Sequence, residues 1–358
     1  MKLSQFARYI VPLYKTRVPV TLIGPPGIGK SDTVHTLPGI LSAALGCDFG
    51  HVTVEAPTLD GPDVIGILVP VRDKDTGEAV ARYTVPDIAR QVAATGKDHG
   101  VLFIDEIGQA DKSIQKALAP LFIEGKLGEY RIPKGWMVVS ATNRAQDRTG
   151  VVKELSYFTN RQNQIQIEAS IDDWSVWARN EGMHHMLLAF ANFKPGVVMI
   201  QEVPARPGPY CSPRSYTSAA KFLRNIVDND EDEIPNGSVV QAIVSGYIGE
   251  AASAELFSFL KVHQLLPLWG DIINNPETAK VPPIQRLDAA FAAAGLVIAK
   301  TDSSNINEAF TYCKRLPIEL QTSVARTLVT AFDGVAFSSP AVNDFISEHT
   351  ALIQSSID

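Results

Sequence analysis

The sequence predicts an α/β protein: a three-layer core around a parallel sheet, then an all-helical lid and a helical C-terminal extension. Three observations predict it. Short apolar strands alternate with helical patterns over residues 1–168, the arrangement by which βαβ units build a parallel sheet. A glycine-rich turn between Gly24 and Lys30 separates the first strand from the first long helix. From Ser170 onward, strand patterns give way to helical ones broken by Pro- and Gly-rich joints. The expected boundaries are a core over 1–168 with a β-hairpin insert near 66–83, a lid over 169–300 and an extension over 301–358.

Taken in order, Leu3, Phe6, Ala7, Ile10, Val11 and Tyr14 fall at helical spacing and predict one short amphipathic helix. Residues 18–23 read as a buried strand. A helix follows from Lys30, with Pro38 expected to break or restart it. Residues 51–54 form the second strand and 100–104 the third, apolar on both faces as in a covered parallel sheet. Residues 113–124 predict a helix kinked at Pro120, and 136–141 and 164–167 the last two strands. Residues 67–71 and 79–83 flank a charged turn in a strand–turn–strand pattern. Ser170, with Asp173 three residues on, marks a helix start. Residues 238–252 mix small and apolar side chains and read as one close-packed helix. The acidic stretch 228–237 reads as a solvated linker.

Composition narrows the function classes. At about 100–200 residues per domain, 358 residues make two or three domains. A 45% hydrophobic and 20% charged content supports a large core and excludes wholesale disorder. Lys and Arg number 32 against 39 Asp and Glu, a net charge of −7, which argues against a chain whose main work is coating nucleic acid. Cys47, Cys211 and Cys313 lie far apart with no CxxC pair, which argues against a paired-cysteine zinc site and for a reducing compartment. Arg8 interrupts any signal-peptide apolar region, and the longest apolar stretch, 291–299, is too short to span a bilayer. The expectation is a soluble cytoplasmic protein with no membrane partner. His184 and His185 read as helix packing rather than a metal site, and Trp174 and Trp177 as packing anchors.

The chemistry concentrates in three places. Gly24, Pro25, Pro26, Gly27, Ile28, Gly29, Lys30 and Ser31 match G-x-x-x-x-G-K-[ST], placed after a buried strand and before a helix. Glycines let successive backbone N–H groups turn inward and cradle phosphate oxygens, and the helix N-terminus adds partial positive charge. Lys30 can reach the β- and γ-phosphates, and the Ser31 hydroxyl can coordinate Mg²⁺. Next, the apolar strand at 101–104 ends in Asp105 and Glu106, where open α/β sheets bind ligands. Asp105 suits a Mg²⁺ site, and Glu106 suits a base that polarises the attacking water. Lastly, the strand at 136–141 leads to Asn143, whose amide can bond that water or the γ-phosphate. An Asn at a strand end is by itself a common turn residue; its order after the other two motifs favours function.

Together these residues resemble the AAA+ ATPases, and within them the MoxR-like group, over about residues 15–225. Gly24 to Ser31 is similar to Walker A, Phe103-Ile104-Asp105-Glu106 to Walker B and Asn143 to sensor 1. Segments 59–66, 127–133 and 211–215 are also similar to family segments, which makes Arg214 the sensor 2 arginine of the lid. The family's arginine finger sits shortly before the last core strand and is followed by an aromatic residue. Arg161 matches the arginine, but Gln162 stands where the aromatic is expected; Arg148 is a second candidate. MoxR-like proteins carry a β-hairpin where residues 66–83 fall, and in a ring such an insert points toward the pore.

The resemblance implies a Mg²⁺-dependent ATPase acting as a ring, commonly a hexamer, with ATP between subunits. It also implies a protein client, often one with a von Willebrand factor A domain, that is remodelled, activated or loaded. Two other readings compete. A nucleic-acid translocase predicts pore-facing cations, but Arg72, Lys74 and Arg82 of the hairpin are balanced by Asp73, Asp75 and Glu78. A nucleotide-dependent scaffold has no need of Glu106. ATP rather than GTP follows from the resemblance and from the absence of an Asn-Lys-x-Asp guanine signature.

Overall fold

A parallel sheet organises the first part of the chain. The computed structural model describes residues 1–72, 77–144, 147, 161–200, 203–204, 208–228, 233–283, 285–332 and 334–349. The strands in chain order are β1 (Val20–Ile23), β2 (Phe49–Glu55), β3 (Leu68–Arg72), β4 (Ala79–Tyr83), β5 (His99–Asp105), β6 (Lys126–Leu127), β7 (Tyr130–Arg131), β8 (Gly135–Thr142) and β9 (Asn163–Gln166). Five of them form one sheet in the order β2-β5-β8-β1-β9, all parallel. Strand β1 therefore lies between the last two strands of the sheet. That is a topological switch point, where a crevice opens at the carboxyl ends of the strands.

Helices cover both faces. On one side lie α1 (Leu3–Arg8), α2 (Ile10–Thr16) and α3 (Lys30–Leu45), which bury Phe6, Ile10, Tyr14, Val34, Leu37 and Leu41 against Val20, Leu22, Phe103 and Val139. On the other lie α4 (Gly61–Ile65), α5 (Asp87–Ala94) and α6 (Lys112–Glu124), packed on Val52, Leu102, Ile104 and Val138. The predicted three-layer α/β class is observed.

Several local expectations are corrected. The first helix is two, broken at the exposed Tyr9, and Phe6, Ile10 and Tyr14, at spacings of four, all bury in the core. Pro38 does not break α3. Its missing N–H costs one helical bond, but Val34, Leu37 and Leu41 bury on one face and hold the helix through it. The helix expected over 113–124 forms as α6, with Pro120 inside it. Helices α4 and α5 went unread because both are short; α4 starts with a reciprocal Asp60–Asp63 capping box inside a sequence that reads as a turn. The insert forms an antiparallel β3–β4 ribbon, with Leu68 opposite Tyr83 and Val71 opposite Val80. Its turn residues 73–76 lie outside the described residues.

Ser170 to Ile200 and the residues from Pro204 onward form a second compact unit, distinct from Met1–Ala169. Among its described residues it holds helices and no strand. Ser170 caps its first helix by accepting from the Asp173 N–H, as its sequence indicates. Trp174 packs on Tyr216 and donates to the Thr217 hydroxyl. Residues 238–252 do not form one helix. Gly249, with φ 80°, separates Ser238–Ile248 from Glu250–Leu260, and a Cβ there would stand 2.8 Å from the Pro209 carbonyl oxygen. His184 and His185 are buried, stacked on one another, with the His263 ring beside His185. Among the described residues no cluster of His, Cys, Asp and Glu could hold a metal, and no helix is long and apolar enough to cross a membrane.

At the far end of the sheet the Trp136 indole lies across Gly50 and Gly100, and its N–H donates to the Lys97 carbonyl. A Cβ at Gly100 would stand 2.7 Å from that ring and 2.8 Å from the Gly50 carbonyl oxygen. Gly100→Ala is expected to cost about 1–3 kcal/mol by overpacking. Urea unfolding followed by Trp fluorescence checks it; an unchanged midpoint would contradict this packing.

Candidate functional site

The carboxyl ends of β1, β5 and β8 converge on one buried cation. Lys30, the first residue of α3, is only 7% exposed. Its ammonium donates to the Gly24 carbonyl at 2.9 Å, the Pro25 carbonyl at 2.8 Å and Asn143 Oδ1 at 3.1 Å. A buried charge is tolerated only with such partners. The loop around it follows from glycine. Gly27 and Gly29 take left-handed backbone angles of φ 75° and 93°. At Gly24 a Cβ would stand 2.5 Å from the Ile167 carbonyl oxygen, so only glycine lets the loop pass that close to the end of β9. The Gly24 N–H bonds the Thr142 carbonyl, tying the loop to the end of β8.

The acidic pair sits beside this loop. The Ser31 hydroxyl donates to Asp105 Oδ2 at 2.5 Å, and Asp105 Oδ1 accepts the Glu106 N–H at 2.8 Å. Glu106 takes a left-handed conformation, φ 53°, which is costly for a non-glycine residue and turns the chain out of the strand direction. Asn143 Nδ2 then donates to Glu106 Oε2 at 3.0 Å, and the Gln109 amide donates to the same carboxylate. Asn143 is 3% exposed and bridges Lys30 to Glu106 through the two ends of one amide. Lys30, Ser31, Asp105, Glu106 and Asn143 thus stand in one hydrogen-bonded group, together with the turn at Gly24 and Pro25.

This donor set suits Mg²⁺. The oxygens of Ser31 and Asp105 are hard donors beside a glycine-rich turn whose Gly27 and Gly29 take left-handed angles. Mg²⁺ keeps most of its water and takes one or two carboxylates plus phosphate oxygens, so two protein ligands suffice.

Arg161 is exposed, just ahead of β9. Its neighbour Gln162 packs inward, and Gln162 Oε1 accepts from the Thr21 hydroxyl at 2.6 Å. Arg214 is exposed in the first turn of helix Pro213–Asn225, in the second unit, behind a Ser212–Ser215 capping box. Arg148 lies outside the described residues.

Three groups at the site were missed from sequence. Gln109 reaches Glu106 because a 3₁₀ turn, Ile107–Gln109, brings it back; its spacing of three was the available signal. Asp147, 1% exposed, holds Arg144, the residue that follows Asn143, through two guanidinium nitrogens. Glu55 ends β2 directly opposite Asp105 in the sheet register. Partial burial, and then the Asp105 charge, push its carboxyl above the usual range against a smaller opposing effect of His35.

No family model and no curated protein matches the chain. Among solved structures it is similar to a candidate ATPase from Cytophaga hutchinsonii, at 12% identity over 90% of this chain and 79% of that one, with a TM-score of 0.31. It is also similar to a point mutant of Thermotoga maritima RuvB, at 15% identity over 72% of this chain and 68% of that one, with a TM-score of 0.34.

Glu55 carries a stability consequence. Its folded pKa is raised, so folding favours the protonated form. That contribution is full below the unfolded value of 4.5 and is lost as pH rises through the folded value. Glu55→Gln is therefore expected to melt above the wild type at pH 7, with the difference closing at acid pH. Melting curves across pH check it; a lower melting temperature at pH 7 would contradict the assignment.

Proposed function

We propose that this chain is a Mg²⁺-dependent ATPase of the AAA+ type, MoxR-like, that works as a ring on a partner protein. The observation that carries the reading is the bridge of Asn143 between Lys30 and Glu106, which links a phosphate-binding loop to a candidate base. A scaffold that only bound nucleotide would need the first and not the second.

The residues divide the work as follows. Gly24, Pro25, Pro26, Gly27, Ile28 and Gly29 form the loop whose N–H groups take the phosphate oxygens of ATP. Lys30 exchanges its carbonyl partners for the β- and γ-phosphates. Ser31 and Asp105 hold Mg²⁺, which when bound neutralises charge on those phosphates. Glu106 accepts a hydrogen bond from the attacking water and takes up its proton. Asn143 orients that water and the γ-phosphate together. Arg161 completes the site of a neighbouring subunit, where such an arginine is worth about 10³–10⁵ in rate. Arg214 acts from the lid as the second sensor.

The proposed assembly is a ring, most simply a hexamer, in the cytoplasm. Its client is a protein that is remodelled, activated or loaded, of the class carrying a von Willebrand factor A domain. The β3–β4 ribbon supports a contact role, since Leu68, Val71 and Tyr83 are all exposed on it.

ATP turnover per subunit, measured across a wide range of protein concentration, tests the assembly. Specific activity is expected to rise with concentration, and Arg161→Ala is expected to remove most of it at the plateau while ATP still binds. Flat activity with Arg161→Ala unimpaired would mean a site complete within one chain and would contradict the ring reading.

A further inference from the structure

Gln162 stands where the resembled family carries an aromatic residue, and the structure gives that polar replacement a partner. Ser140, Thr21 and Gln162 form a hydrogen-bonded file across the sheet. Thr21 Oγ1 lies 2.7 Å from Ser140 Oγ and donates to Gln162 Oε1 at 2.6 Å. A hydroxyl has one proton, so Ser140 is the donor to Thr21 and the file runs in one direction. Thr21 and Ser140 are both fully buried, at 0% exposure, and face one another in the β1–β8 register. Buried hydroxyls of this kind are costly to leave without partners. Within the file, Gln162 is the acceptor that the Thr21 hydroxyl uses.

Its members stand close in sequence to the three functional segments. Thr21 precedes Gly24 of the phosphate loop by three residues, Ser140 precedes Asn143 by three, and Gln162 follows Arg161 directly. The Asn163 N–H also bonds the Pro19 carbonyl at 2.8 Å, so the chain after Arg161 is pinned to β1 by backbone as well as by side chain.

We infer that Gln162 and Thr21 are positioning residues for Arg161: their hydrogen bond sets where the guanidinium is offered, registered to the strand that carries the subunit's own phosphate loop. This rests on the reading of Arg161 as a group that completes a neighbour's site. An aromatic side chain in the same place would be held by packing alone. The bond to Thr21 adds a directional constraint between the segment that presents the arginine and the strand that ends in the nucleotide loop.

The test separates action on a neighbour from action on the residue's own subunit. Lys30→Ala subunits have no working nucleotide site but keep Arg161; Arg161→Ala subunits have the site but no arginine to offer. Each is expected to be inactive alone, and a mixed assembly is expected to recover ATP turnover. Gln162→Leu, or the shape-conserving Thr21→Val, is then placed in one partner at a time. In the Lys30→Ala partner, either change is expected to lower the recovered kcat about tenfold with the KM for ATP unchanged, on the scale of one lost buried hydrogen bond. The same change in the Arg161→Ala partner has no arginine to displace, so the loss there is expected to be much smaller. Equal losses in both partners, or a loss confined to the Arg161→Ala partner, would show that the pair serves its own nucleotide loop and would overturn the inference. Full recovery with either change in the Lys30→Ala partner would overturn it too. Failure of the unaltered mixture to recover activity would instead remove the reading of Arg161 on which the inference stands. Thr21→Val keeps the volume of the buried side chain, so it remains informative where Gln162→Leu folds poorly.

Discussion

The centre of this protein depends on giving a buried ammonium enough acceptors. Lys30 is almost fully enclosed, and a charge so placed is tolerated only where oxygens surround it. Two come from the carbonyls of Gly24 and Pro25, which the glycine-rich turn directs inward. The third comes from Asn143, at the end of a strand separated from Lys30 by more than a hundred residues of chain. That one requirement brings β1 and β8 together at their carboxyl ends. Once Asn143 is held by Lys30, its amide nitrogen donates to Glu106 and helps fix that carboxylate.

The surrounding fold serves that convergence at both ends of the sheet. At the carboxyl end, glycine allows the loop to pass the Ile167 carbonyl, and a left-handed Glu106 turns the chain back so that Gln109 and Asn143 both reach its carboxylate. At the opposite end, the Trp136 indole lies across Gly50 and Gly100 and donates to the Lys97 carbonyl, adding contact and one polar bond to the β2–β5–β8 ladders. Between them, Thr21, Ser140 and Gln162 form a polar thread from β8 through β1 to the residue before β9. The first unit is therefore stiff where chemistry is expected and apolar where it is not. In the second unit, Gly295 allows the helix Leu287–Lys300 to approach Ala189 closely, and aromatic contacts among Trp174, Tyr216 and Phe190 fill the space beside it.

Much of this was legible in the sequence for identifiable reasons. Strands β5 and β8 are apolar runs buried along nearly their whole length, which leaves them few alternatives, whereas β2 alternates and β9 is only partly buried. The Gly24–Ser31 loop, Asp105, Glu106 and Asn143 carry residue types that stand out in the sequence, and the fold brings them into one hydrogen-bonded group. What escaped depended on tertiary context. Pro38 reads as a break, yet the apolar face of α3 carries the helix through it. Residues 238–252 read as continuous, yet the approach of Pro209 demands the positive φ of Gly249. Gln162 reads as a disruption of packing and is instead a satisfied hydrogen-bond acceptor, because Thr21 lies within 2.6 Å. Glu55 and Asp147 gave no pattern at all; the first matters through strand register and the second through a turn that closes on Arg144.

The most direct test of the central claim separates binding from hydrolysis at Glu106. Equilibrium binding of Mg²⁺–ATP and phosphate release are measured side by side on the wild type, Glu106→Gln and Lys30→Ala. If the group described here is a hydrolytic centre, Glu106→Gln binds ATP within a few-fold of the wild type and loses turnover by about 10²–10⁴, while Lys30→Ala loses binding. Unimpaired phosphate release from Glu106→Gln would contradict the account, because the carboxylate that Asn143 and Gln109 hold in place would then have no part in the reaction.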